Sequence, residues 1–441
     1  MKPDVAIVGA GPAGMAAATR ASAAGAQVVI LDDNPGAGGQ IWRGMEQTQS
    51  GRQAREWFHK FASLRSSMLN NCRVISASAA PLGLLAETPA DRIEISPRTL
   101  ILATGARELF LPFPGWTLPG VMGVGGLQAL AKSGLPIAGK RIVVAGSGPL
   151  LLAVGAYLKS HGAQVRLIAE QASRMAIARF AVHLMTQPAK LAQAAGLQLG
   201  LRGVPYLQGC WVEEAFGDRR LQSVRIRRGV KTWTEDCDYA ALAYGLYPNA
   251  ELARLLGCRM SGSCVAVDEL QRTSVDNVYC AGESTGIGGV DLSLVEGEIA
   301  GYAATGETER ARALFARRKR AQTFAEALNI TFALRPELRN LPRGDTFVCR
   351  CEDVAFKRLQ QVTSFRAAKL HTRCGMGPCQ ARVCGPATEF LFRWRSESVR
   401  PPLFPARLGT LVEHKTEEQE ILTRDETDAL GRRAPGHHHA I

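Results

Sequence analysis

Residues 5–33 read VAIVGAGPAGMAAATRASAAGAQVVILDD, and this stretch decides the fold. Val5 to Val8 are apolar and predict a buried strand. Gly9, Gly11 and Gly14 follow with G-x-G-x-x-G spacing, and an alanine-rich helix then runs to a stop at Gly25. A second apolar strand, Val28 to Leu31, ends at Asp32, 18 positions past Gly14. Gly9 allows the tight turn, Gly11 lets the backbone approach a pyrophosphate, and Gly14 lets the helix pack on the strand. Pro12 and Ala13 open a helix whose N-terminal dipole points at the phosphates. Asp32 and Asp33 stand where a ribose hydroxyl would be held. The pattern predicts a β-α-β unit that binds a dinucleotide.

The unit recurs at residues 141–170, RIVVAGSGPLLLAVGAYLKSHGAQVRLIAE. Gly146, Gly148 and Glu170 repeat the first, second and acidic positions, but Leu151 stands where the third glycine belongs. A leucine there is expected to push the helix from the strand and crowd the pyrophosphate approach. Three readings stay open for this second site: a working NAD site, a vestigial one, or one holding another adenine nucleotide. Glu170 disfavours a 2′-phosphate. Two such units in 441 residues, with 45 glycines and 6% aromatics, predict an α/β protein with two dinucleotide-binding domains and a smaller C-terminal one.

RTLILATGARE (98–108) and TSVDNVYCAGESTGIGGVDLSLVEGEIAGYAA (273–304) resemble the flavin-binding segments of the glutathione-reductase-like flavoproteins. That resemblance implies FAD. Thr104 and Gly105 return under the nucleotide, Glu283 bonds the ribityl chain, and Gly282 gives the close approach. The helix beginning near Gly289 aims its positive end at the flavin ring. Gly39, Gln40 and Arg43, in GAGGQIWR, are placed beside the flavin. No C-x-x-C or C-x4-C occurs before residue 300, and the segment 115–132 has no cysteine, so thiol–disulfide exchange is not expected.

Five of the 11 cysteines crowd near the end of the chain. Cys349 and Cys351 lie in VCRCEDV, Cys374 and Cys379 in TRCGMGPCQ. Four thiolates hold zinc or a [2Fe–2S] cluster. C-x-C with a distant C-x4-C departs from the paired C-x2-C knuckles of zinc and favours the iron–sulfur reading. A short helix is predicted over Val354–Val362, and Pro378 is expected to open another. On that helix Cys384, five residues past Cys379, would turn away from the cluster, so it is read as a packing residue. His371 is read as an exposed polar residue.

The blocks LDDNPGAGGQIWR, ELFLPFPGWTLPGVM, AGESTGIGG and TRCGMGPCQ, in this order, resemble the α subunits of opine oxidases and D-hydroxyproline dehydrogenases. A hydrogen cyanide synthase subunit of similar layout is a more distant likeness. The resemblance runs to about Thr410. It implies a C-terminal [2Fe–2S] domain of the bacterioferritin-associated-ferredoxin type. It also implies a separate D-amino-acid-oxidase-like flavoprotein β subunit that oxidises an amino or imino acid. A small third subunit is a further expected partner. This chain would relay the electrons and carry no side-chain catalytic residue. The rival readings are a self-sufficient NADH-dependent FAD/[2Fe–2S] oxidoreductase and a non-redox zinc-knuckle scaffold.

The expected organisation is an FAD-binding domain in two parts (1–115 and 266–330) around a second dinucleotide-binding-like domain (116–265). A linker (331–346), the [2Fe–2S] domain (347–392) and a tail (393–441), disordered from about 412, follow. The net charge of +13 gathers in RIRRGVK (225–231) and ERARALFARRKRAQ (309–322), without aromatic interleaving or a recognition motif. A solvated face or an acidic partner is expected there, not nucleic acid. No secretory signal or transmembrane segment is read, and the expected location is the cytoplasm, with peripheral contact to the inner membrane face as a variant.

Overall fold

The computed structural model describes residues 1–44, 51–64, 66–185, 187–395 and 398–412. The tail expected to be disordered, with His437 to His439, falls outside the described residues apart from Val412.

Two parallel five-stranded sheets carry the fold. The first runs Val278–Cys280, Thr99–Leu102, Val5–Val8, Val28–Leu31, Ser67–Leu69 in spatial order. The second runs Tyr206–Gln208, Gln164–Glu170, Arg141–Gly146, Tyr239–Ala243, Val121–Gly123. The central strands are apolar on both faces because both are buried, one under helices and the other under an antiparallel meander. Each sheet has its own three-stranded antiparallel meander, Arg73–Ala79 with Leu82–Glu87 and Arg92–Ile95, and Trp211–Phe216 with Ser223–Arg228 and Lys231–Asp236. The basic run at 225–231 therefore lies on a meander, where Arg225 pairs with Glu214 and Arg227 with Glu213. The two halves are joined by Ala106–Glu108 pairing antiparallel with Leu246–Pro248.

The helices Pro12–Ala23 and Gly289–Ala304 pack together in the first half through small residues. A Cβ on Gly297 would overlap the carbonyl of Ala13, and one on Gly301 that of Ala17. This backbone-to-backbone approach explains the alanine-rich composition of the first helix. Glu298, fully buried on the later helix, pairs with both Arg20 and Arg317.

Residues 331–346 depart from the expected linker. Leu338 and Leu341 are buried in the core of the second half, beside Trp211 and Tyr244. The two prolines mark not a free spacer but a strap laid across that domain. Beyond it, Phe347–Cys349 pairs with Val354–Ala355, and three short helices, Phe356–Leu359, Phe365–Thr372 and Cys384–Phe392, close around a small core containing Val354, Leu359 and Phe365. The helix expected over Val354–Val362 is thus a strand followed by one helical turn. Among the described residues no helix is long and apolar enough to cross a membrane.

Candidate functional site

The first glycine turn is built by steric necessity. Gly9 has φ +105°, and a Cβ there would overlap the carbonyl oxygen of Ala103. A Cβ on Gly14 would overlap the carbonyl of Gly9. Gly11 lies against Gly39, whose own Cβ would come 2.9 Å from the Gly11 Cα, and the Gly38 amide donates to the Ala10 carbonyl at 2.8 Å. The G-G-Q loop therefore folds over the turn. Pro12 is the first helical residue, and Ala13 presses on Gly282, which has φ +80°.

Buried Asp32 braces this turn. Its Oδ2 accepts from the Ala10 amide at 2.6 Å, and its Oδ1 from the Asn34 amide and side chain, both at 2.8 Å. Asn34 in turn accepts from Arg43 at 2.7 Å. Asp33 points elsewhere, to an ion pair with Arg73, and Gln40 is exposed. Thr104 Oγ1 donates to the Asn249 carbonyl and meets Ser284 Oγ at 2.9 Å, while the Gly105 carbonyl accepts from Ser284.

Glu283 lies in a short 3₁₀ turn, Gly282–Ser284, ahead of the long helix. Its Oε1 accepts from the Gly289 amide at 2.8 Å. Its Oε2 is buried and, among the described residues, has no hydrogen-bond partner. Burial pushes this carboxyl above its ordinary range, against hydrogen bonds from Gly289 and Gly288. Glu296, one helix face away, holds the turn: its Oε2 accepts from the Gly282 amide at 2.9 Å and from Thr285 Oγ1 at 3.0 Å. Burial pushes Glu296 up to about 7. Sequence reasoning missed Glu296. Its signal was a carboxylate in the apolar middle of the helix, which, like Glu298, requires a partner to be buried at all.

The second glycine turn keeps its backbone. Gly146 (φ +136°) packs against Ala243 and Gly148 has φ +100°. Glu170 is completely buried, accepting from the Gly148 and Ala172 amides at 2.8 Å each, and burial pushes it up to about 7. Leu151 fills the core beside Val124, Leu127 and Val154. Gly14 has no room for a Cβ, whereas at the equivalent place Leu151 is accommodated in the core of the second half. The strap then covers the turn. Ser147 Oγ donates to the Phe332 carbonyl at 2.8 Å, and Gln171 donates to the Ala333 carbonyl and accepts from the Arg335 amide. The Phe332 ring lies 4.0 Å from where a Gly148 Cβ would be.

The structure corrects the reading of Cys384. The sulfurs of Cys349, Cys374 and Cys384 lie within 4.8 Å of one another, all buried. Pro378 opens no helix, because Gln380 and Ala381 both take positive φ (48° and 66°), and the next helix starts only at Cys384. Cys379 and Cys384 therefore do not share a helix, and Cys384 turns inward. Cys349 and Cys374 are thus together as expected. Cys351 and Cys379 form a second pair: hydrogen-bonding contact with Cys379, after burial, raises the Cys351 thiol. S–H donors from Cys374 and Cys384 hold the Cys349 thiol down to about 2 and leave its neighbours raised, Cys374 to about 12. Gly377 has no room for a side chain, since a Cβ would overlap that of Cys351. Arg373, in the left-handed conformation that ends its helix, clamps Glu352 at 2.7 Å. His371 is exposed, as expected.

This cysteine unit is bonded to both halves. Trp116 Nε1 donates to the Phe347 carbonyl at 2.6 Å, Arg107 Nε to the Arg382 carbonyl at 2.9 Å, and Tyr247 Oη to Glu389 at 2.7 Å.

Comparison with known proteins fits this architecture. The family model described as pyridine nucleotide-disulphide oxidoreductase matches residues 3–304. The chain is 32% identical to an opine oxidase subunit of Rhizobium meliloti (strain 1021), over 93% of this chain and 98% of that protein. It is 31% identical to the hydrogen cyanide synthase subunit HcnB of Pseudomonas aeruginosa, over 86% of this chain and 90% of that one. The fold is similar to the crystal structure of L-proline dehydrogenase from P. horikoshii, with a TM-score of 0.67 at 19% identity, over 94% of this chain and 80% of that chain.

Proposed function

The chain belongs to the pyridine nucleotide-disulphide oxidoreductase family, alongside these opine oxidase and hydrogen cyanide synthase subunits, and on that premise we propose that it is the electron-relaying flavin and iron–sulfur subunit of a heteromeric dehydrogenase for an amino or imino acid of the D-hydroxyproline or opine type. Amine oxidation itself falls to a partner flavoprotein of the D-amino-acid-oxidase type. The observation that carries this reading is the joining of the cysteine pocket to the flavin half, while the second glycine turn is covered by residues 332–335.

The residues fit FAD. The glycine turn has no side chains that would block a pyrophosphate, and Glu283 offers a buried oxygen that lacks a donor. A ribityl hydroxyl would supply one. Asp32 and Glu296 set the two backbone turns between which the nucleotide would pass. Cys349, Cys374, Cys351 and Cys379 would hold a [2Fe–2S] cluster in the C-terminal domain. Cys384 then serves as a hydrogen-bond donor to Cys349. The flavin supplies a two-electron carrier and the cluster a one-electron carrier.

Anaerobic mixing of the purified, flavin-loaded chain with NADH tests the reading. The expected result is an oxidised flavin spectrum that persists, with reduction only when an amine substrate and the partner flavoprotein are added. Rapid bleaching by NADH would establish the self-sufficient reductase instead, and a colourless, iron-free protein the zinc-knuckle scaffold.

A further inference from the structure

A cavity of about 550 Å³ lies away from both glycine turns, where the flavin half, the cysteine unit and the returning segment 398–403 meet. Its size falls in the range of small-molecule pockets. Its charge is one-sided. Arg107, Arg254, Arg366, Lys369, Arg382 and Arg400 line it against a single carboxylate, Glu251, a surplus of five positive charges.

That carboxylate is committed to Arg107 at 2.8 Å. Arg382 is fixed at the back by the carbonyls of Cys379 and Leu403, by Gln380 Oε1 and by the Phe404 ring, 3.9 Å from its guanidinium carbon. These partners orient the guanidinium without neutralising it. Arg366 and Lys369 sit one turn apart on the helix Phe365–Thr372, and among the described residues neither is in an ion pair. Like charges gathered in a partly enclosed space repel one another and favour a counter-ion. One carboxylate would cancel one of the five charges, whereas a phosphate monoester brings about −1.5 to −2 and a diphosphate more. Guanidinium forks match phosphate oxygens in pairs. Tyr247, Pro248, Met376 and Val399 add an apolar wall for the organic part of a ligand.

We propose that this cavity binds a phosphorylated small molecule, in a site separate from both dinucleotide turns. Gly375, Gln380 and Gly385, each beside a cysteine, line it, so its occupancy is felt in the loops that carry the thiols.

The test uses the full-length chain with its flavin bound. Pyrophosphate is titrated by calorimetry, with adenosine monophosphate as a second arm, and backbone hydrogen exchange is followed with and without pyrophosphate. Saturable pyrophosphate binding is expected, weakened at least tenfold in Arg366→Glu/Lys369→Glu and in the milder Arg366→Gln/Lys369→Gln. It should be unchanged in Arg358→Glu, an exposed cation of the same unit outside the cavity. Exchange should slow in residues 375–386. Tighter binding of the nucleotide than of pyrophosphate would mark the base-bearing source, and the reverse a bare phosphate anion. Absence of saturable binding, equal loss in Arg358→Glu, or protection confined to the glycine turns would each overturn the proposal.

Discussion

Glu296 makes the flavin turn sensitive to pH. In the fold its carboxyl titrates near 7, against an ordinary 4.5, because burial penalises the charged form. Neutral Glu296 is therefore favoured in the folded state, and its contribution to stability is complete below the unfolded value and lost as pH rises toward 7. A difference of 2.5 pKa units corresponds to about 3 kcal/mol. Arg318 lowers and Glu283 raises the value through space, but both are secondary to burial. For a chain of this length, with an unfolding entropy of about 2 cal/mol/K per residue, that is roughly 4 °C in the melting midpoint. Glu296→Gln removes the titration and keeps an oxygen to accept from Gly282. The assay is flavin release on heating, at pH 5 and at pH 8, for wild type and variant side by side. The two should melt nearly together at pH 5, and the variant should melt higher at pH 8. Glu170 titrates in the same window, but it is present in both proteins and cancels in the comparison. If the difference between the two proteins does not change with pH, the argument from burial is wrong.

Gly14→Ala places a methyl group on the Gly9 carbonyl. The expected cost is more than about 3 kcal/mol, with loss of FAD read from the absorbance of the purified protein. Gly377→Ala forces Cys351 aside, so iron content should fall while flavin content, measured on the same sample, stays. Cys384→Ala should retain iron and move the cluster's reduction to more negative potential, because a donor to the Cys349 sulfur is lost. Loss of iron in that variant would make Cys384 a ligand. Leu151→Gly restores the motif but empties a packed core position, so it should destabilise the second half by about 3–5 kcal/mol and still give no flavin bleaching by NADH, because residues 332–335 remain across the turn.

The glycine turns are legible in the sequence because their geometry is local: Gly9 and Gly14 are demanded by clashes within one strand–turn–helix unit. Sequence reasoning fails where distant residues decide. Positive φ at Gln380 and Ala381 leaves no mark in the sequence, since neither is glycine, and a helix continued through them carries Cys384 to the wrong side. Residues 331–346 resemble a spacer in their prolines and charges, yet Leu338 and Leu341 find a core supplied by residues as far back in the chain as Trp211 and Tyr244. Adjacency to Asp32 suggests a cofactor role for Asp33, but alternation along the chain turns it outward to Arg73. Family likeness suffices to single out Glu283, whereas its unpaired oxygen is a finding of the structure alone.

The acid of the second turn closes a hydrogen-bonded ring with Gly148 and Ala172 in the buried interior. A residue of that kind is kept by the fold whether or not a nucleotide ever arrives. The same glycines and the same acid thus have a structural use independent of any nucleotide, as a keystone holds an arch whatever passes beneath it. Counting such fingerprints along a chain counts strand–turn–helix units, and the number of nucleotides bound has to be counted separately.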